Sequence, residues 1–206
     1  MRGNFARARA LAGSADAAAA EFGQKLWLAA GGMYLWEIEM LAGDLSAAER
    51  AVRRSCELLG ELGEVGHRST AAGQLAASLY ALARLDEAHE WTETAEGLAP
   101  KGDVSSQMLW RQVRARVLAR RGDHATAEEL GREAVVLAEA TDMLNYHANA
   151  LADLGEIYVA AGQADEGRAH LEQALALYEQ KGNLVAVGRA GQRLEELKAA
   201  PARPRC

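Results

Sequence analysis

The sequence predicts an all-α fold: a right-handed superhelical solenoid of helical hairpins, with roughly ten helices in 206 residues. Composition is the first observation behind this prediction. Alanine and leucine supply 45 and 27 residues, whereas only one of the three prolines, Pro100, lies within the body of the chain. Alanine and leucine favour helices and proline breaks them. The second observation is a short turn sequence that recurs about every 40 residues, which is typical of stacked repeats.

The recurring turns divide the chain into hairpins. Their first residues are Gly3, Gly43, Ala83, Gly122 and Gly162. A glycine at this point can adopt the left-handed conformation that ends a helix. The residue after it, as at Asn4, Asp44 and Asp123, can cap the next helix with its side chain. Each period is therefore predicted to be one pair of helices.

Between the turns, apolar residues recur at helical spacing, as Leu151, Leu154 and Tyr158 do before the last turn. The predicted helices cover residues 4–22, 24–42, 44–62, 66–83, 85–98, 103–121, 123–140, 143–161, 163–180 and 183–198. They form one domain over residues 1–200: a half-repeat at 1–22, repeats at 24–62, 66–98, 103–140 and 143–180, and a polar capping helix at 183–198. A disordered tail is expected at residues 201–206.

The first predicted helix has no preceding partner, because Gly3 already occupies the turn position. One apolar face of this half-repeat is therefore expected to be exposed, and contiguous exposed apolar surface usually marks an interaction site. Either upstream sequence or a second copy of the chain would cover it. Self-association through the half-repeat is thus one predicted partnership.

The repeat resembles the tetratricopeptide repeat (TPR) in its pattern of small and bulky residues. The resemblance is clearest at Leu154, Gly155, Tyr158, Gly162, Gly167 and Ala174. Two features depart from it: Trp36 stands where a small residue is expected, and the period is about 40 rather than 34 residues. The resemblance implies a TPR-like solenoid in which the first helix of each pair lines a concave groove.

Aligning the first helix of each predicted pair with the repeat pattern gives a set of candidate groove residues. They are Met33, Glu37, Met40, Gly73, Ala77, Tyr80, Gln112, Arg116, Ala119, Asn149, Ala152, Glu156 and Val159. Methionine adapts to irregular partners, and an arginine can hold a carboxylate with two hydrogen bonds. A peptide or helix with an acidic residue is therefore one expected guest, and an ordinary solvated surface is the alternative.

Three longer stretches resemble the C-terminal repeat region of a bacterial signalling family. They are LWRQVRARVLARRG (109–122), AEELGREAVVLAEATD (127–142) and ALADLGEIYVAAGQADEGRAHLEQALALYEQKG (150–182). In that family a class III adenylate/guanylate cyclase-like or transcription-regulator module and a STAND/AAA ATPase precede the helical arm. The resemblance implies a sensing or partner-binding arm. The phosphate-binding pattern GxxxxGK[ST] of such an ATPase is absent from this sequence.

Charge and cysteine usage narrow the choice of partners. A net charge of -6 and a pI near 5.5 disfavour direct nucleic-acid binding, which needs a concentrated basic surface. Neither a secretory signal nor a long uncharged apolar run is present, so no membrane association is expected. Two cysteines far apart, Cys56 and Cys206, do not form a disulfide framework and fit a reducing, cytoplasmic location.

The sequence offers no pattern that predicts catalysis. The five histidines never form HExxH, and neither cysteine has a CxxC partner, so neither a metal site nor a cofactor is expected. Cys56 lies beside Ser55 and reads as a small buried residue rather than a nucleophile. We therefore predict a non-enzymatic scaffold that binds a peptide or protein segment in its groove. The alternative is an effector-sensing regulatory arm of a larger signalling ATPase, cyclase or transcription regulator.

Overall fold

The structure is a computed structural model that describes residues 1–199. Over these residues it contains ten α-helices and no strand, which confirms the predicted all-α, TPR-like solenoid. The helices are α1 (Phe5–Glu21), α2 (Lys25–Ala42), α3 (Leu45–Glu61), α4 (Gly66–Ala81), α5 (Leu85–Leu98), α6 (Val104–Arg120), α7 (His124–Glu139), α8 (Leu144–Ala160), α9 (Ala164–Lys181) and α10 (Leu184–Ala199). The predicted tail, 201–206, lies outside the described residues.

The turns end and restart helices as the sequence predicts. Gly43, at the C-terminal end of α2, has a φ of 85°. The side chain of Asp44 then accepts a hydrogen bond from the Ala47 amide at 2.9 Å and caps α3. The equivalent position of the third turn is held by Ala83, whose φ of 60° is a conformation that a residue with a Cβ adopts only at a cost.

Small residues let the two helices of a pair approach closely. Gly155 of α8 lies against Gly167 of α9, and a Cβ on either residue would collide with the backbone of the other. In the first pair the corresponding close approach is made by Gly32, against Ala51 of α3. This shift by one helical turn explains why Trp36 departs from the repeat pattern.

Because the close contact between α2 and α3 lies at Gly32, Trp36 can pack on the next repeat instead. Its Nε1 donates a hydrogen bond to the Ser78 hydroxyl of α4 at 2.8 Å. Its ring packs on buried residues of neighbouring repeats, among them Leu75 and Leu109. The apolar core thus continues from one hairpin into the next, which is how a repeat protein builds a core without long-range topology.

The two ends of the solenoid approach each other. Arg189 of α10 donates to the carbonyl oxygen of Leu41, at the C-terminal end of α2, over 3.0 Å. Met1 lies beside Asn145 of α8, with 2.8 Å between Sδ and Nδ2. Met1, Leu41, Asn145 and Arg189 all border the space on the concave side of the solenoid.

No helix within residues 1–199 combines the length and the apolar character that a membrane-spanning segment requires.

Candidate functional site

The concave surface lines a central cavity of about 640 Å³. Its walls come from the first helices of the four pairs, α2, α4, α6 and α8, together with parts of α9 and α10. Met40, Leu109 and Val113 supply apolar surface, and amide and charged side chains supply the rest. The volume falls within the range of about 300–1,000 Å³ that is usual for ligand pockets.

Eight of the thirteen groove residues named from the sequence line this cavity. They are Glu37, Met40, Ala77, Gln112, Arg116, Asn149, Ala152 and Glu156. They come from α2, α4, α6 and α8, so the structure brings side chains from all four repeats to one space. Their role in binding remains a prediction.

The other five groove candidates lie outside the cavity lining. They are Met33, Gly73, Tyr80, Ala119 and Val159. Met33 and Tyr80 pack on the core cluster around Leu75. Gly73 lies at the contact between α4 and α6, where a Cβ would be 3.0 Å from the Leu109 side chain. These three positions belong to the seams between helices rather than to the concave surface.

Ala119 and Val159 lie in the last turn of their helices, and the following helix covers them. Ala119 is buried in a cluster with Ala127 of α7. Val159 lies next to Gly167 of α9, and a Cβ on that glycine would be 2.6 Å from Val159 Cγ2. Each short turn brings the second helix of a pair back onto the end of the first helix. The last turn of the first helix therefore faces the second helix of the same pair.

An ion pair occupies the middle of the cavity wall. Arg116 Nη1 lies 3.2 Å from Asp153 Oδ1, and the guanidinium stacks 4.1 Å from the centre of the Tyr80 ring. Burial raises the pKa of Asp153, and the positive charge of Arg116 opposes that rise. Arg116 therefore pairs with a carboxylate of its own chain, and its contact with an acidic guest stays a prediction.

A second ion pair closes the C-terminal side of the cavity. Arg193 of α10 makes two hydrogen bonds to the carboxylate of Glu156, at 2.7 and 2.9 Å. Hydrogen bonding to Glu156 raises the pKa of Arg193, so the arginine stays charged. The charges of Arg193 and Glu156 therefore neutralise each other on this side of the cavity.

Amide side chains form the remaining polar part of the wall. Asn149 accepts a hydrogen bond from the Tyr178 hydroxyl at 2.7 Å. Gln74 and Gln112 are almost completely buried, with 6% and 4% of their surface exposed. Gln74 Oε1 and Gln112 Nε2 have no hydrogen-bond partner within the described part of the chain.

Several lining residues were not among the sequence candidates, notably Gln74, Asp153, Arg189 and Arg193. Gln74 lies nine residues before the turn at Ala83, and Asp153 lies nine residues before the turn at Gly162. A candidate set that took in this position of each first helix would have included both. Arg189 and Arg193 belong to the capping helix. Only the curvature that brings α10 back to α2 places them in the cavity.

Residues 1–199 contain no group of three or more histidine, cysteine or acidic side chains arranged to hold a metal ion. Cys56 is buried in the core next to Leu59 and Leu75. Burial raises the pKa of its thiol to about 12. At neutral pH Cys56 is therefore protonated, whereas a nucleophilic cysteine acts as the thiolate.

The N-terminal end of the solenoid carries an exposed apolar surface. No residue of α1 is buried, and Phe22, Trp27 and Tyr34 are exposed to 73%, 60% and 60%. The three aromatic rings and the alanines of α1 line a depression of about 450 Å³. We call these three rings, with Ala15 and Ala19, the aromatic patch.

Comparisons with known proteins agree with this architecture. Residues 106–180 match the tetratricopeptide repeat family. The crystal structure of BtubC (BKLC) from P. vanneervenii is similar over 98% of this chain and 96% of that chain, with a TM-score of 0.60 and 18% identity. No curated protein matches the sequence.

Two crystal structures of a putative kinesin light chain from Podosopora anserina, with nearly identical TPR-like repeats, are also similar. One of them, a form with a single substitution, has a TM-score of 0.55 and 19% identity over 88% of this chain and 90% of that chain. The other has a TM-score of 0.53 and 19% identity over 87% and 89%. At such identities the likeness concerns the fold. Together with the ten-helix solenoid and the match over residues 106–180, it gives this chain a TPR-like helical-repeat fold.

Proposed function

We propose that the chain is a non-enzymatic scaffold that binds a peptide or protein segment in its central cavity. One observation carries the proposal: a cavity of about 640 Å³ lined by side chains from all four repeats. Stacked repeats commonly use their concave surface for binding, because it is long and made of many equivalent positions. The TPR-like fold supports a role in protein interaction.

The chemistry of the wall suits a guest that is held by shape and hydrogen bonds. Met40, Leu109 and Val113 offer apolar contact, and flexible methionine adapts to irregular partners. The two ion pairs, Arg116 with Asp153 and Arg193 with Glu156, are already internally balanced. A guest therefore does not need a strong charge to bind.

A second candidate function is that of an effector-sensing regulatory arm. The volume of the cavity favours it, since a space of this size accepts a small molecule as well as a short peptide. The sequence resemblance to the repeat arms of STAND/AAA ATPases and cyclase-like regulators points in the same direction. In this role the chain would act on an attached module through a change of state when the effector binds.

Filling the cavity tests the proposed site. A random-sequence peptide library displayed on phage would be selected against the intact chain, and binding measured by calorimetry. Glu37→Trp and Ala152→Trp place a large ring at positions that line the cavity outside the fully buried core, and we expect each to abolish binding. Ala176→Trp, on the exposed face of α9, is the matched control and should bind normally.

The result separates the two functions. Peptides that bind the parent chain and the control, but neither cavity variant, support the scaffold. If no peptide is selected while a small-molecule library raises the melting temperature of the parent chain, the effector-sensing role replaces it, because a ligand stabilises the folded state by mass action. Peptides that bind both tryptophan variants equally well would contradict the location of the site.

A further inference from the structure

The depression at the aromatic patch carries a carboxylate in a wall that is otherwise uncharged. It lies between α1 and α2 and shares no lining residue with the central cavity. Among the described residues that line it, Asp16 is the one that carries a charge. The others are alanines of α1, Gly31, Gln24 and the three aromatic rings. A charge in mostly apolar surroundings normally has a partner, so the place of Asp16 needs an explanation.

Gly31 makes room for this carboxylate on α2. A Cβ on Gly31 would collide with Asp16 Oδ1, so the carboxylate lies directly over the backbone of that helix. Trp27 stands four residues before Gly31 and Tyr34 three residues after it, on the same helix face. Along the helix axis these distances are about 6 Å and about 4.5 Å. The carboxylate therefore lies between the levels of two exposed aromatic residues.

Water, rather than a side chain, solvates Asp16 in the free chain. Within residues 1–199 its carboxylate forms neither an ion pair nor a hydrogen bond, and Arg9 of the same helix is held by Glu39 of α2 instead. Asp16 is half-buried, so part of its surface remains open to solvent. A ligand that fills the depression displaces this water. It then leaves the carboxylate uncompensated unless the ligand itself is positively charged.

The exposed rings favour the same charge. The face of an aromatic ring is electronegative and attracts cations, most strongly in tryptophan. Trp27 and Tyr34 are both available for such contact, because more than half of each is exposed. An anion would be repelled by Asp16, and a neutral apolar ligand would cover the carboxylate without compensating it. Positive charge is therefore the ligand property that both the carboxylate and the rings select.

The small number of hydrogen-bond acceptors narrows the kind of cation. An ammonium group brings three N–H donors and a guanidinium group five. Among the residues that line the depression, the side-chain acceptors are those of Asp16, Gln24 and Tyr34. A quaternary ammonium group has no N–H to satisfy, and its methyl groups can pack on aromatic rings and alanines. Such a cation loses the least when it leaves water for this surface.

We propose that the aromatic patch and Asp16 bind a small molecule that carries a quaternary ammonium group. Asp16 supplies the opposite charge, Trp27 and Tyr34 supply ring faces, and the alanines of α1 contact the methyl groups. The depression of about 450 Å³ has the volume of an ordinary ligand pocket. This site is separate from the central cavity and does not depend on the peptide-binding function proposed above.

Choline and its uncharged analogue test the role of charge. The analogue is the alcohol in which a carbon atom replaces the charged nitrogen, so the two ligands have the same shape. We expect choline to bind the intact chain about five- to tenfold more tightly. Nuclear magnetic resonance of the four tryptophan indole N–H groups locates the site. The signal that Trp27→Leu removes should shift with choline, whereas the other signals should not.

Three variants separate the contributions of the carboxylate and the rings. Asp16→Asn keeps the shape and removes the charge, so it should weaken choline about fivefold and leave the alcohol unchanged. Trp27→Leu keeps apolar surface but removes a ring face, so it should weaken choline more than the alcohol. Glu172→Gln, at an exposed carboxylate of α9 outside the depression, is the matched control and should bind both ligands as the parent chain does. Equal melting temperatures without ligand establish that all three variants fold.

Each outcome decides one claim. Equal affinity for choline and the alcohol would overturn the selection of a cation, and unchanged choline binding by Asp16→Asn would overturn the role of the carboxylate. A peptide with trimethyl-lysine that binds far more tightly than choline would replace the small molecule by a protein partner. A second copy of the chain on the patch would exclude the ligand, so saturating choline should shift such a dimer toward the monomer. If choline leaves the Trp27 signal unmoved, the site is overturned, and the proposed function of the central cavity is unaffected.

Discussion

Gly155 and Gly167 face each other across the crossing of α8 and α9, each against the carbonyl oxygen of the other. A Cβ on Gly155 would lie 2.8 Å from the Gly167 oxygen, and a Cβ on Gly167 would lie 2.7 Å from the Gly155 oxygen. Real Cβ atoms do not come this close to an oxygen. The helices of the fourth pair can therefore keep their separation only while both residues lack side chains.

Gly155→Leu should destabilise the chain by about 1–3 kcal/mol, because the backbone on the far side cannot yield as a side chain can. Ala127→Leu, at a completely buried position of α7, should cost a similar amount. Urea denaturation measures both. Gly188→Ala in α10 is the matched control: nothing lies within 4 Å of its added Cβ, so stability should rise by about 0.5–1 kcal/mol. Unchanged midpoints for the first two variants would contradict the register of the repeats.

The small residues of the repeat made this part of the fold predictable. All ten helices were expected, and every observed boundary lies within two residues of its predicted position. Turn glycines and capping side chains act within a few residues, so sequence alone reveals them. The exception, Trp36, follows from a contact made one turn earlier by Gly32, which no local signal marks.

The cavity was harder to predict because it depends on how the repeats curve. The residues six positions before each turn, Glu37, Ala77, Arg116 and Glu156, were all named and all line the cavity. Positions one turn later, such as Ala119, were also named but pack on the following helix. The pairing of Arg116 with Asp153 and the approach of α10 to α2 involve residues distant in sequence. A helical period does not reveal such partners.

Ala83 offers a way to stabilise the chain by restoring a glycine. Its φ of 60° is left-handed, and this conformation costs a residue with a Cβ about 1–2 kcal/mol. A glycine would remove this cost, but its greater conformational freedom in the unfolded chain offsets part of the gain in stability. Ala83→Gly should therefore raise the free energy of unfolding by about 0.5–1 kcal/mol, measured by urea denaturation.

The same substitution in a helix provides the control for Ala83. Ala176 is an exposed residue in the middle of α9, and Ala176→Gly should lower the free energy of unfolding by about 0.5–1 kcal/mol. Opposite signs for one chemical change would establish that the backbone conformation at position 83 decides the effect. A loss of stability at both positions would contradict the left-handed turn.

The aromatic patch should bring two copies of the chain together. Its lining is apolar apart from a few polar groups such as Asp16. The opposite end of the solenoid presents Glu195, Glu196 and Lys198, so head-to-tail stacking would bury charges against aromatic rings. We therefore expect a two-fold dimer in which the patch meets its own copy, since a two-fold interface pairs a surface with itself.

Light scattering over a range of micromolar concentrations measures this dimer. The double variant Trp27→Ser, Tyr34→Ser should shift the mass toward the monomer. Val136→Ser, which removes a residue of 65% exposure on α7, should leave the mass unchanged. A parent chain that stays monomeric across the range would rule the dimer out.

Arg189 should hold the cavity closed through the dipole of α2. Its guanidinium lies at the C-terminal end of that helix, where the carbonyl oxygens of Met40 and Leu41 carry partial negative charge. A cation at this position contributes about 0.3–1 kcal/mol, and salt weakens the contribution.

Arg189→Gln should therefore increase the radius of gyration measured by small-angle X-ray scattering, and added salt should do the same to the parent chain. Arg168→Gln, which removes only a pair with Asp165 within α9, should leave the radius unchanged. If a guest enters between α2 and α10, Arg189→Gln should also bind and release peptides faster than the parent chain, and equal rates would show that this contact does not control entry.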